Sequence, residues 1–291
     1  MLKIIYIINL DSDDFIFMEV KERDILFVLV IYKCTVEESM AFKSLIGIEN
    51  AKDLFVYDNS PYMQNTDLCV AEYVHDLSNG GLGKAYNAAC KYAIQHKYKW
   101  LLLLDHDTFF PENALPAYRE AIVSQQVDMI VPRHIISDGR FVSPTPYYMK
   151  TSDLQNAAPV GKVSFSSVSP INSGMLISVD SFKSVGGYEE AVWLDFSDIC
   201  FIEKYKKKYS EYYILPDVIC TQAFSAIETD YAKVYKRFCI YLECARNYPR
   251  HSVWDNISLT ITTLRPTLSR TLRERRMCYI KAYWKIYMRK K

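Results

Sequence analysis

Two carboxylates stand one residue apart in Asp105-His106-Asp107, directly after the apolar run Leu101-Leu102-Leu103-Leu104. Side chains alternate along an extended strand, so both aspartates project from the same face where that strand ends. Two hard oxygen ligands at the carboxyl end of a parallel strand suit a divalent cation carrying a nucleotide diphosphate. His106 between them points the other way, outside the ligand set. The plain alternative is a buried strand followed by a polar turn, with Asp107 and Thr108 opening the next segment.

A pair placed this way needs a sheet around it. Ile25–Tyr32 is continuously apolar and β-rich, as a strand covered on both faces should be. Val36–Ile46 has helical character, and Asp53–Tyr57 is a short strand closed by the turn cluster Asp58-Asn59-Ser60-Pro61. A third strand is expected near Val70–His75, a helix over Leu82–His96, and then the Trp100–Leu104 strand. Strand and helix alternating in this way predict a parallel sheet with right-handed crossovers. Ligands of such sheets gather at the carboxyl ends of the strands, where Asp58 and Asp105 both fall.

The second half is less regular. Helices are expected at Ala114–Ser124, Phe182–Gly187, Asp198–Tyr209 and Tyr231–Tyr248, and strands at Met129–Pro132 and Ser173–Val179. Residues 137–170, rich in Ser, Pro, Gly and Tyr, read as a long irregular excursion. Residues 4–9 and 15–20 read as an extra hairpin around an acidic turn, and a basic tail follows Pro266. The expected division is an extra N-terminal hairpin at 1–23, a main domain at 24–228 and a basic helical extension at 229–291.

The net charge of +1 hides an asymmetry. From Arg265 to Lys291 there are ten Lys/Arg and one Glu, which leaves 33 acidic against 25 basic residues before them. A basic tail on an acidic body suits an anionic surface. The eight cysteines show no C-x-x-C pair and no zinc spacing, so they read as reduced thiols that pack as small hydrophobes. No secretory signal and no apolar run of membrane-spanning length is found, so the expectation is a cytoplasmic protein, soluble or peripheral on the inner face of the membrane.

Several motifs occur in a fixed order. They are Val30-Ile31-Tyr32-Lys33, Val56-Tyr57-Asp58-Asn59-Ser60, Asn79-Gly80-Gly81-Leu82-Gly83-Lys84-Ala85-Tyr86-Asn87 and Leu102-Leu103-Leu104-Asp105-His106-Asp107-Thr108. Asn172-Ser173-Gly174, Gly186-Gly187-Tyr188 and Leu194-Asp195-Phe196-Ser197-Asp198-Ile199-Cys200-Phe201 follow. Through them the chain, from about Ile25 to Arg250, resembles the family 2 glycosyltransferases, within them the bacterial rhamnosyltransferase-like group. The fold implied is GT-A: α/β, Rossmann-like, a mostly parallel sheet flanked by helices, here with a C-terminal helical extension.

The resemblance implies a role for each motif. Tyr32, Asp58, Asn59, Gly83, Asn87 and Asp105 would bind the nucleotide-sugar, Asp58 at the base or ribose and Asp105 at the ribose or donor sugar. Asp58 capping its own turn is the competing reading. Gly81 and Gly83 would bring backbone close to an anion ahead of a helix N-terminus with free N–H groups. Asp107 would coordinate Mg2+ or Mn2+ on the diphosphate. Asp198 would be the general base for inversion at the anomeric carbon, with Asp195 in reserve.

Two departures from the family pattern stand out. Cys200 occupies a position often acidic, and Thr221-Gln222-Ala223-Phe224-Ser225 stands where a His often helps bind metal or diphosphate. The implied partners are a nucleotide-diphospho-sugar donor and a glycan or lipid-linked glycan acceptor, as in surface-polysaccharide assembly, with a rhamnosyl-type donor favoured. Galactofuranosyl, glucosyl and galactosyl donors, or an inactive nucleotide-sugar-binding protein, stay open. A sugar-nucleotide pyrophosphorylase would need an N-terminal Gly-x-Gly-Thr-Arg loop that the sequence lacks. Residues 270–291 interleave basic and aromatic side chains, which suits either an interfacial helix on an anionic membrane or a packed helix with a solvated basic face. Nucleic acid is not expected as a partner, since the body is acidic and no base-reading motif occurs.

Overall fold

A computed structural model describes residues 24–222 and 230–289. The hairpin expected at 1–23 lies outside the described residues. β1 (Ile25–Ile31) is apolar throughout and all seven residues are buried. It lies inside a parallel set with β2 (Leu54–Asp58), β3 (Glu72–His75) and β4 (Trp100–Asp105), pairing with β2 and β4 while β3 pairs with β2. The period of two sorts the side chains into two cores. Leu26, Val28, Val30, Leu101 and Leu103 meet Ala85, Tyr86, Ala89 and Ala93 of α1 (Gly81–His96). Phe27, Leu29, Leu102 and Leu104 face the other way, onto a π-helical turn at Phe42–Ile46 and onto α2 (Ala114–Ser124).

β4 leads through a turn to β5 (Thr108–Phe109). Then come β6 (Met129–Ile135), β7 (Phe141–Ser143), β8 (Tyr147–Tyr148), β9 (Thr151–Ser152), β10 (Gly161–Ser164) and β11 (Leu176–Ser178). α3 (Val179–Ser184), α4 (Ser197–Tyr205) and β12 (Glu211–Gln222) follow. The strand order is β10-β12-β6-β11-β4-β1-β2-β3. β12 runs parallel to β6, while β11 is antiparallel to both β4 and β6. The outcome is the expected mostly parallel sheet flanked by helices.

Two elements differ from expectation. β12 is not among the expected strands; Pro216 and Asp217 stand in its middle, residues that usually interrupt a ladder. The strand absorbs them with a register shift between Ile214 and Ile219. The segment 137–170, expected to be irregular, carries β7–β10, of which β8 and β9 form their own two-stranded sheet.

α5 (Tyr231–Asn247), α6 (Val253–Glu274) and α7 (Cys278–Ala282) follow, and α7 runs into a π-helical turn at Tyr283–Tyr287. α6 starts at a capping box of Ser252 and Asp255 and runs straight through Pro266, where the tail was expected to begin. The proline leaves the Thr262 carbonyl without its helical donor, and the Tyr241 hydroxyl donates to it at 2.9 Å. Phe238, Leu242, Tyr248, Leu259, Tyr279, Tyr283 and Tyr287 form a third core with Val192, Phe196 and Cys200. The aromatic residues of the tail at 279, 283 and 287 are therefore packed inward. Among the described residues no helix is long and apolar enough to cross a membrane.

Candidate functional site

The turn that carries Asp105 and Asp107 is held from two sides. The Ser173 hydroxyl lies 2.8 Å from that of Thr108 and accepts from the Asp105 amide at 3.4 Å. On the other side, the Met40 amide and the Ser39 hydroxyl donate to the His106 carbonyl at 2.8 and 3.2 Å. The backbone is thus fixed while both carboxylates stay at the partly exposed rim of the sheet. Ser173 reaches the turn because Gly174 adopts φ +74, where a Cβ would come within 2.6 Å of Pro132.

Asn172, one residue earlier, points the other way. Its carbonyl oxygen accepts from the Tyr188 hydroxyl at 2.7 Å, and its amide donates to the Ser197 hydroxyl at 3.2 Å. Ser197 opens α4 after Phe196, whose left-handed φ of 65 turns the chain into the helix. Asp198 comes next, and its Oδ1 accepts from the Ile199 amide at 2.7 Å. The segment 172–174 therefore ties the Asp105–Asp107 turn to the start of α4.

Asp105 lies within the field of both Asp107 and Asp198. Burial foremost, then the charges of Asp107 and Asp198, pushes Asp105 up to about 7, with the Tyr86 hydroxyl at 3.4 Å opposing. Burial, with Asp195 adding to it and the Ile199 amide opposing, raises Asp198 to about 6. Tyr86 and Tyr188, whose ring centroids are 5.1 Å apart, are both pushed far above the ordinary tyrosine value by burial and by Asp105 and Asp198. A carboxylate poised near neutrality beside two others is an arrangement able to move a proton or share a cation.

Asp195 is placed differently. Arg237 of α5 holds its carboxylate in a two-pronged ion pair, with Nη2 to Oδ1 at 2.7 Å. Both of its oxygens are committed to the guanidinium, which leaves Asp198 as the candidate base. Asp195 also lines a cavity of about 590 Å³ with Arg237, Tyr241, Thr262, Arg265 and Arg270.

The glycine cluster serves packing rather than an open anion site. The Leu82 amide donates to the Trp193 carbonyl at 2.8 Å, and the Gly81 amide lies 3.4 Å from the Asn59 side-chain oxygen. Two of the amides at the start of α1, expected free, are thus occupied by the protein itself. A Cβ on Gly81 would sit 2.1 Å from the Trp193 carbonyl oxygen, and one on Gly83 would sit 3.3 Å from Glu189. Asn87 bonds the Tyr188 backbone at both ends and Glu190 Oε1 at 2.9 Å, pinning residues 187–190 to α1.

Asp58 is fully buried. Its oxygens accept from the amides of Ser60 and Gln64, each at 2.8 Å, and from the Tyr73 hydroxyl at 2.9 Å. This is the turn-capping geometry. Asn59 is buried beside it, while Tyr32 is exposed just past the end of β1. The Gln222 side chain and residues 223–225 lie outside the described residues.

Tyr86, Tyr188 and Ser197 join this site without having been singled out. The signal available was the Gly-Gly-Tyr and Asn-Ser-Gly spacing, which marks close approach but not the partner. For a divalent cation the donor set is small. Among the described residues no group of three or more His, Cys, Asp or Glu could hold a metal unaided. Two carboxylates at a rigid turn do fit Mg2+ or Mn2+ shared with a diphosphate, which supplies the remaining oxygens along with water.

No family model matches the chain, and no curated protein matches it. Solved structures do. A crystal structure of GalNAc-T7 with UDP, GalNAc and Mn2+ aligns with a TM-score of 0.52 at 11% identity, over 84% of this chain and 55% of that one. The crystal structure of S. aureus TarS aligns with a TM-score of 0.50 at 15% identity, over 83% of this chain and 43% of that one. The chain spans about half the length of each. At such identities the likeness is one of fold, and the fold is GT-A.

Proposed function

We propose that the protein is a metal-dependent inverting glycosyltransferase, moving a sugar from a nucleotide-diphospho-sugar to an acceptor hydroxyl. The observation that carries this reading is the convergence of Asp105, Asp107 and Asp198 through the 172–174 segment. Asp107, with Asp105 beside it, would hold Mg2+ or Mn2+. When bound, the cation neutralises the leaving diphosphate. The GalNAc-T7 structure, crystallised with UDP and Mn2+, supports this choice of ligand class.

In this reading Asp198 takes the proton from the acceptor hydroxyl as the glycosidic bond breaks on the opposite side of the sugar. Its value of about 6 leaves it ionised at neutral pH yet basic enough to accept that proton. Asp105 would orient the ribose or donor sugar, with Tyr86 behind it. Asp58 and Asn59 would shape the nucleoside pocket through the turn they brace. An acceptor would enter by the cavity that Asp195 lines, three residues before the base. A rhamnosyl-type donor and a glycan or lipid-linked glycan acceptor of surface-polysaccharide assembly complete the proposal.

The test is stabilisation against heat by a panel of UDP-, dTDP- and GDP-sugars, with and without Mn2+, on the wild type and Asp107→Ala. A shift with one nucleotide class that needs both metal and Asp107 supports the reading. Absence of any shift across the panel removes it.

A further inference from the structure

α6 is built inside out. Its buried side, at Leu259, Thr263, Thr267 and Thr271, is mostly threonine, and each threonine hydroxyl donates back to the carbonyl one turn earlier at 2.6 to 2.7 Å. Its isoleucines and its other leucines face out instead. Trp254, Ile257, Ile261, Leu264, Leu268 and Leu272 are all exposed, Leu272 at 78% and Trp254 at 54%. Their spacing of three and four places them on one face, a stripe roughly 27 Å long at 1.5 Å per residue. A surface helix normally turns such a face to the core, and an exposed apolar band of this extent marks an interaction site.

Charge identifies the occupant. Arg265, Arg270 and Arg273 lie on the helix, Arg275 and Arg276 close it, and no acidic residue occurs from 256 to 273. The two acids at its ends are engaged within the protein. Asp255 pairs with Lys150 at 2.8 Å, and Glu274 takes the Tyr279 hydroxyl with Arg270 at 3.7 Å. At about 100° per residue Arg265 stands at the edge of the stripe and Arg273 further round, while Arg270 lies over the Phe238 ring. A bilayer with anionic headgroups satisfies both the apolar face and the net positive charge of the helix that carries it.

We propose that α6 is an interfacial helix, lying in the plane of an anionic bilayer with its Trp254–Leu272 face at the headgroup–acyl boundary. This assigns the membrane contact to α6 rather than to 279–287, whose tyrosines are packed inward. The inference stands independently of glycosyl transfer.

The test is sedimentation of the full chain with phosphatidylcholine vesicles, with and without phosphatidylglycerol. Binding to the anionic vesicles, weakened by added salt, is expected, with little to the neutral ones. Leu264→Asp with Leu268→Asp should lower vesicle affinity by roughly tenfold or more, while an unchanged melting temperature shows the fold intact. Should that variant fail to fold, brominated lipid quenching of Trp254 in the wild type, judged against Trp254→Phe, reads the same contact. Three results overturn the proposal: no sedimentation with either vesicle, equal binding to both, or a dimer that the double variant abolishes. Nucleotide-sugar stabilisation of the double variant should match the wild type, so failure of the glycosyltransferase reading leaves a separate signature.

Discussion

The side-chain amide of Asn172 donates to the hydroxyl of Ser197 at 3.2 Å, although 25 residues separate them. Ser197 precedes the candidate base, and Ser173 next to Asn172 grips the turn of the candidate metal ligand. Adjacent residues thus brace the two halves of the candidate site. Asn172→Ala leaves the Ser197 and Tyr188 hydroxyls without this partner, which costs about 1–3 kcal/mol of stability. The expected kinetic effect is a fall in kcat of roughly tenfold or more through misplacement of Asp198, with nucleotide affinity nearly unchanged. Ser173→Ala should do the reverse, weakening nucleotide binding with the smaller effect on kcat. Steady-state kinetics on the two variants check the split, and identical losses in both parameters would remove it.

Asp198 gives a pH signature. Only its ionised form accepts a proton, so kcat/KM should rise with pH through about 6 and then level off. Asp198→Asn should lower kcat by about 10²- to 10⁴-fold. Asp195→Asn removes a neighbouring negative charge and frees Arg237, so the acid limb should move to lower pH. A limb that stays in place after Asp195→Asn would show that another group sets it. The raised value also affects stability. The unfolded chain ionises more easily than the folded one here, so this group costs stability as pH climbs from 3.8 to about 6. Asp198→Asn should accordingly melt higher than the wild type at pH 7.

Asp107 should matter through the cation. With Mn2+ present, Asp107→Ala is expected to lose about tenfold or more in nucleotide affinity; with chelator present, wild type and variant should bind alike. Calorimetric titration with the nucleotide in both conditions reads this, and a variant equally weak in both would place Asp107 outside the metal site.

The first half of the fold was legible because its strands are unbroken apolar runs and α1 carries one apolar side. β12 and α6 were harder for one shared reason. A proline stands inside each, and the chain absorbs Pro216 with a register shift and Pro266 with the Tyr241 hydroxyl. The site was legible as a set of residue types but not as a set of partners. The motif ranks Asp198 ahead of Asp195 without a physical reason; Arg237, 42 residues beyond Asp195, supplies one by pairing with it. Gly81 signals close approach, but a sequence does not say that the Trp193 carbonyl, rather than an anion, makes it. Long-range contacts of this kind leave no local pattern.

His134 offers a stability test away from the site. It is fully buried on β6 beside Cys220 and Ser143, and neither ring nitrogen has a hydrogen-bond partner among the described residues. Burial lowers it from 6.5 to about 3. Above pH 6.5 the ring is neutral in both folded and unfolded chains and contributes no pH dependence. Below 6.5 the unfolded chain takes up a proton that the folded chain refuses, so stability falls with pH until about 3. At pH 5 this loss amounts to about 2 kcal/mol. His134→Leu abolishes it and also removes an unsatisfied buried polar group. The variant should therefore equal or exceed wild-type stability at pH 7, and its advantage should grow as the pH is lowered towards 4. The Asp198 contribution has the opposite sign over 3.8 to 6 and is common to both proteins, so it cancels in their difference. Urea unfolding of the pair at pH 7 and pH 5 measures that difference directly. A constant gap between them would mean that the imidazole is protonated inside the fold.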